Sequence, residues 1–130
     1  MKSLSLELPM PPSANRIWRN GAGRNYRSAE YMRFIRAVSV AVVAAGAPTF
    51  GDKRLEVHIR LHPATRARQD IDNRVKACLD ALTHAGVMDD DSQVDVLVVD
   101  RGPVVKGGKS IVRLAVFDPA AEAVEYLMRG

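Results

Sequence analysis

The sequence predicts an α+β fold: a single compact domain with helices packed on a mixed β-sheet, in the order β-α-β-α-β-β-α. Three observations carry that expectation. A chain of 130 residues, 47% apolar and 26% charged, has material for one hydrophobic core and matches ordinary globular composition. Several short runs alternate apolar and polar residues with the period of a half-buried strand. Two longer stretches instead repeat their apolar residues at three and four, the period of a helix that buries one face.

Each element follows in turn. Leu4, Leu6 and Leu8 alternate with polar residues as a first strand, which Pro9, Pro11 and Pro12 end. Ser13 to Arg27 has no clear period, holds an Asn20-Gly21-Ala22-Gly23 turn, and reads as a mobile basic loop. Ser28 can cap a helix whose apolar positions are Tyr31, Phe34, Ile35, Val38, Val42 and Ala45, ending near Gly46. Leu55, Val57, Ile59 and Leu61 alternate with Glu56, His58, Arg60 and His62 as a strand that Pro63 ends. A second helix is expected from about Asp70 to Ala85, with Ile71, Val75, Cys78, Leu79 and Leu82 on one stripe and Gly86 just past its end. Val94 to Arg101 and Ser110 to Phe117 read as two strands of a hairpin whose connection holds Gly107-Gly108. Asp118 and Pro119 suit the cap and first position of a C-terminal helix reaching Met128.

The charge is uneven. Residues 1–68 carry twelve basic and four acidic side chains, a balance of +8, while residues 69–130 carry seven and eleven, a balance of −4. A polyanion-binding surface beside a carboxylate-rich centre would produce this distribution, and so would ordinary surface charge. Arginines outnumber lysines fourteen to five, and the planar guanidinium matches phosphate oxygens better than an ammonium does. Cys78 is the only cysteine, which excludes an intramolecular disulfide and a cysteine-based zinc site and suits a reducing cytoplasm. No run of ~18 apolar residues stands ready to span a bilayer, so neither membrane insertion nor secretion is expected.

Several familiar chemistries fail on spacing. Gly108-Lys109-Ser110 resembles the end of a phosphate-binding P-loop, but Pro103 stands where its first glycine belongs. Asp89, Asp91 and Asp100 fall at positions 1, 3 and 12 of a calcium loop whose sixth position would be Val94 instead of glycine. His58 and His62 lie on the outward face of a strand and His84 is isolated on a helix, so surface or hydrogen-bonded roles fit them better than zinc ligation. A Gly-x-Ser-x-Gly elbow is absent, and Cys78 lies on an apolar stripe where thiols are inert.

What remains is the aspartates. Asp70 and Asp72 precede the second helix, and Asp89-Asp90-Asp91 follow it. Residues two apart lie ~200° apart around a helix, so Asp70 and Asp72 can face one ion only if Asp70 precedes the first turn or the chain is extended there. Mg²⁺ prefers carboxylate and water oxygens, and a few aspartates with a substrate phosphate suit it. Lys76, four residues after Asp72 and clear of the apolar stripe, could sit over such a phosphate. Simpler roles compete: Asp70 as an N-cap bonding the Asn73 amide, Asp72 and Lys76 as an ordinary ion pair, and the triplet as a solvated loop.

The segments Leu8-Pro9-Met10-Pro11-Pro12-Ser13-Ala14-Asn15-Arg16, Arg68-Gln69-Asp70-Ile71-Asp72-Asn73 with Lys76, Asp80-Ala81-Leu82, Ala85-Gly86 and Asp90-Asp91-Ser92-Gln93-Val94 resemble the RusA family of Holliday-junction resolvases. The resemblance spans about residues 4–117 and implies a RusA-like domain over 1–130. It further implies a small homodimeric, Mg²⁺-dependent endonuclease, of bacteria or prophages, that cuts four-way DNA junctions symmetrically. By position, Asp70, Asp72 and Asp91 would be its metal-binding catalytic aspartates, Lys76 a supporting base or phosphate contact, and Asp90 a fourth contributor. Gln69 stands where family members often carry another basic residue, and Met88-Asp89 replaces a more hydrophobic approach to the last aspartates.

On this reading one or two Mg²⁺ ions, with Mn²⁺ able to substitute, activate water for in-line attack and leave a 5′-phosphate. Asn15, Arg16, Arg19, Arg24, Arg27, Arg66, Arg68 and Asn73 are the candidate DNA contacts, each neutralised phosphate adding ~0.9 to the salt slope. For Trp18 and Tyr26, packing of the loop against the body is favoured over stacking on bases. Two alternatives stay open: a less selective flap or fork nuclease, and a catalytically silent DNA-binding module.

Overall fold

Leu55–His62 is the strand around which the sheet is laid. In the computed structural model, which describes residues 3–120, the strands are β1 (Ser3–Leu8), β2 (Trp18–Gly21), β3 (Arg24–Arg27), β4 (Leu55–His62), β5 (Val94–Arg101) and β6 (Lys109–Val116). The helices are α1 (Ala29–Ala44) and α2 (Val75–His84). Four strands form one sheet in the order β1-β6-β4-β5, with β6 antiparallel to both β1 and β4, and β5 parallel to β4. Leu55, Val57, Ile59 and Leu61 are buried, as their alternation predicts, and Leu6, Leu8, Val112 and Leu114 join them from the neighbouring strands.

The helices close that core. Ser28 caps α1 as expected, its Oγ accepting from the Tyr31 amide at 3.0 Å. The same hydroxyl donates to the Arg16 carbonyl and so ties the preceding segment to the helix. Tyr31, Phe34, Ile35, Val38 and Val42 form the buried face of α1; Ala77, Cys78, Leu79, Ala81 and Leu82 form that of α2. Gly86, at φ 82°, follows α2 in the left-handed conformation that glycine adopts without strain, and the Val87 amide returns to the Leu82 carbonyl.

Three expectations are corrected. The basic loop is a hairpin: β2 and β3 pair antiparallel from Trp18↔Arg27 to Gly21↔Arg24, and Ala22 and Gly23 turn with positive φ. Its strands are four residues long and almost wholly exposed, so no hydrophobic alternation marks them. β5 and β6 do not form a hairpin; they flank β4 on opposite sides. Residues 102–108 cross the end of β4, where the Gly102 and Val105 amides donate to the carbonyls of Leu61 and Pro63. Gly102 lies so close to the His62 ring that a Cβ there would fall 2.4 Å from it. Finally, α2 does not begin at Asp70: a 3₁₀ turn at Asp72–Arg74 precedes it, and Asp70 lies outside the turn. The order among the described residues is therefore β-β-β-α-β-α-β-β. Of the expected C-terminal helix, the Asp118 carboxylate accepts from the Ala120 amide at 3.0 Å, and the rest lies outside the described residues.

Candidate active site

The acidic loop after α2 is organised by one buried amide. Asp91–Gln93 form a single 3₁₀ turn. The Gln93 Oε1 accepts from the Asp89 and Asp90 amides at 3.0 and 2.9 Å, while its Nε2 donates to the carbonyls of Gly51 and Lys53 at 2.9 and 2.7 Å. Gln93 is 5% exposed, so these four bonds are made away from water and pin the loop to the segment that precedes β4. Asp90 caps the turn, its carboxylate accepting from the Ser92 amide at 2.9 Å, and these bonds from Ser92 hold its carboxyl below the usual range. Asp91 is thereby directed to Lys76. Their side chains meet at 3.2 Å, and Lys76 also meets Asp80 at 3.0 Å. These two partners, Asp80 the stronger, raise the Lys76 pKa and keep it an ammonium.

Lys76, Asp80, Asp90 and Asp91 form one wall of an open groove of about 430 Å³ whose other wall includes Trp18, Arg27 and Tyr31. The hairpin is thus placed beside the acidic loop. Arg27 lies over the Tyr31 ring, 5.8 Å from its centre. Trp18 and Tyr26 are 56% and 49% exposed, which overturns the expectation that they pack against the body.

The other sequence-derived residues are dispersed. Asp70 and Asp72 are exposed and line no part of this groove. Neither makes the simpler contact considered for it. No side chain caps the turn at Asp72–Arg74, and Lys76 pairs with Asp80 and Asp91, not with Asp72, among the described residues. Asn15 and Arg16 sit in a 3₁₀ turn before the hairpin, Arg16 facing Glu30 at 3.8 Å. Arg19 and Arg24 project from the hairpin, and Arg24 lines a separate recess at its tip. Arg66 borders a further cleft with Arg101, and Arg68 is exposed on the same loop. Asn73 is half-buried, its Oδ1 without a hydrogen-bond partner among the described residues. Its neighbour Arg74 donates to the Pro11 carbonyl and anchors the start of α2 to the segment after β1, and burial lowers its pKa.

The histidines have ordinary partners. His58 bonds Asp100 at 3.0 Å and His62 bonds the Pro103 carbonyl at 2.8 Å. The Cys78 thiol is fully buried and pushed up to about 12, as expected of an inert core cysteine.

The donors fit a hard divalent cation in kind: Asp70 and Asp72 present carboxylates with no hydrogen bond or ion pair among the described residues, and Asp91 presents a third held only by Lys76. Among the described residues no three carboxylate, imidazole or thiolate groups stand close enough together to form a ready-made metal site. Sequence reasoning missed Gln93 and Asp80 as working parts. Asp90-x-x-Gln93 has the spacing of a capping box, the signal that would have identified Gln93; Asp80 stands four residues from Lys76, the spacing of a helical ion pair.

A small α+β domain that sets carboxylates and a lysine against an arginine-bearing hairpin has the parts of a phosphodiester-cleaving enzyme. Comparison with known proteins gives that class a family. The family model for endodeoxyribonuclease RusA matches residues 9–116. The chain is 38% identical over 109 residues to the crossover junction endodeoxyribonuclease RusA of Escherichia coli strain K12, covering 84% of this chain and 91% of that one. It is 40% identical over 110 residues to the protein of that name from Escherichia coli O139:H28, and 37% identical over 109 residues to that of Enterobacteria phage 82, with the same coverage. The chain belongs to the RusA endodeoxyribonuclease family. Among the described residues no helix is long and apolar enough to cross a membrane.

Proposed function

We propose that this protein is a divalent-metal-dependent endonuclease that resolves four-way DNA junctions, the activity its relatives are named for, and that it works as a homodimer with Mg²⁺. The observation that carries this reading is the groove in which Lys76, Asp90 and Asp91 face Trp18 and Arg27. It brings oxygen donors for a metal and cations for a phosphate into one recess. Asp70, Asp72 and Asp91 would hold the ion, and Asp90 would add an oxygen. When bound, the ion supplies an activated water and neutralises charge on the leaving oxygen.

The chain's own groups do the rest. Lys76, paired with Asp80 and Asp91 in the groove, would serve as a phosphate contact or supporting base. Arg27, with Arg16, Arg19, Arg24, Arg66, Arg68, Asn15 and Asn73, grips the sugar-phosphate backbone, which positions the junction without reading its bases. Trp18 and Tyr26 offer π faces to bases unstacked at the branch point. Paired nicks on strands related by a two-fold axis need two active sites, and a symmetric dimer supplies them.

The test is cleavage of a fixed four-way junction beside a flap and a plain duplex, with Mg²⁺ or EDTA, mapping nicks on every strand. The reading expects symmetric paired nicks with 5′-phosphate ends, confined to the junction and abolished by EDTA. Equal cutting of the flap would point to a less selective nuclease, and cleavage that survives EDTA would remove the metal. No cleavage with either Mg²⁺ or Mn²⁺ would leave only a DNA-binding module.

A further inference from the structure

Lys76 has two carboxylate partners in the groove. Its Nζ lies 3.0 Å from the Asp80 carboxylate and 3.2 Å from that of Asp91, and all three side chains line the recess shared with Trp18 and Arg27. Asp80 stands one turn further along α2, and Asp91 returns to the lysine from the loop that Gln93 holds. Helix stability does not account for the Asp80 contact. The favourable order on a helix puts the acid four residues ahead of the lysine; here the lysine leads, in the first turn of α2, where the helix dipole disfavours a cation. With the two side chains 63% and 37% exposed, the pair is also of the kind that adds little to folding. No other hydrogen bond or ion pair engages the Asp80 carboxylate among the described residues.

The Asp91 contact sets up a competition. Asp91 is one of the carboxylates proposed above as metal ligands, and its ion pair is with Lys76. A cation that takes this carboxylate must displace the lysine, and a displaced lysine without a second partner would face that cation as a like charge. We infer that Asp80 is a positioning residue for Lys76: it keeps the Nζ on the groove wall when Asp91 passes to the ion, and so makes the site easier to fill. Lys76 is then retained beside the ion, where the substrate phosphate arrives. This inference rests on the metal site proposed above and adds the residue that clears it.

The test is a double-mutant cycle read by calorimetric titration of Mn²⁺ into the DNA-free full chain, so that cleavage plays no part in it. Lys76→Met removes the competitor and should tighten Mn²⁺ binding about threefold. Asp80→Asn leaves Lys76 with Asp91 alone and should weaken binding by a similar factor, about threefold. In the Lys76→Met chain, where no lysine is left to hold, the same Asp80→Asn change should alter binding by less than about 1.5-fold. Neither side chain belongs to the core, so the variants should melt as the wild-type chain does. Equal weakening by Asp80→Asn in both backgrounds would overturn the inference, because Asp80 would then act on the cation by its charge alone. Unchanged binding in both would overturn it as well, and in either case the metal site would stand. A wild-type chain that takes up no Mn²⁺ would overturn that site and this inference together.

Discussion

The two acidic segments that flank α2 contain the same residue type and are built in opposite ways. Asp89–Asp91 is held by its backbone: Gln93 binds two of its amides, Ser92 donates to the Asp90 carboxylate, and Lys76 takes Asp91. Asp70 and Asp72 sit on the entry to a 3₁₀ turn, exposed, with no partner for their carboxylates among the described residues. Backbone amides and fixed side-chain dipoles hold the first segment, whereas the carboxylates of the second are uncommitted among the described residues. A rigid arm and an exposed, uncommitted arm thus stand at the two ends of α2. The prediction is that substitutions in the two arms fail for different reasons.

The largest effect is expected at the uncommitted arm. Asp72→Asn should lower junction cleavage on the order of 10³-fold, the cost of losing several kcal/mol of metal-derived stabilisation. Unfolding in urea should shift by less than about 0.5 kcal/mol, since no structural contact is removed. Equal losses of activity and stability would break the comparison. At the rigid arm, Gln93→Leu leaves the Asp89 and Asp90 amides and the Gly51 and Lys53 carbonyls without partners, and should cost about 3 kcal/mol in the same unfolding measurement. Its cleavage defect should follow from a misplaced Asp91, so that activity and stability fall together.

A smaller loss is expected from Ser28→Ala, which removes the α1 cap and the tie to Arg16: about 1 kcal/mol by thermal melting. The smallest concerns Asp100, a carboxylate with a purely structural pairing. Arg60, and after it His58, hold it down to about 2. A depressed carboxyl stabilises the fold above the unfolded value near 4 and loses that contribution as pH falls toward 2. Asp100→Asn should therefore flatten the acid limb of a stability profile between about pH 4 and 2, weakly because the pair is more than a third exposed.

Much of this architecture was legible in the residues. The α1 stripe, the Ser28 cap, the alternation of β4 and the Gly86 terminator all follow from periods and conformational preferences set by local sterics. Strand neighbours were not: Gly107-Gly108 announces a turn, but which side of β4 each strand takes depends on contacts distant in sequence. The β2–β3 hairpin was invisible because strands exposed on both faces carry no hydrophobic signature. At the site, the family resemblance pointed to Lys76, Asp91 and Asp90, which the groove brings together, and equally to Asp70 and Asp72, which lie outside it. The adjacency of Trp18 and Arg27 was not legible, since a long span of chain separates the hairpin from α2 and only the fold joins them.

The claim that carries most weight is that the two acidic arms serve one metal-dependent cut. It is tested most directly by measuring, in one preparation each, single-turnover cleavage and binding of a fixed four-way junction by the wild-type chain and by Asp72→Asn and Asp91→Asn with Mg²⁺. The account predicts that both variants bind the junction within about threefold of wild type, a difference below ~1 kcal/mol, while both lose cleavage. It would be contradicted if either variant cut at the wild-type rate, or if cleavage fell only in proportion to lost binding.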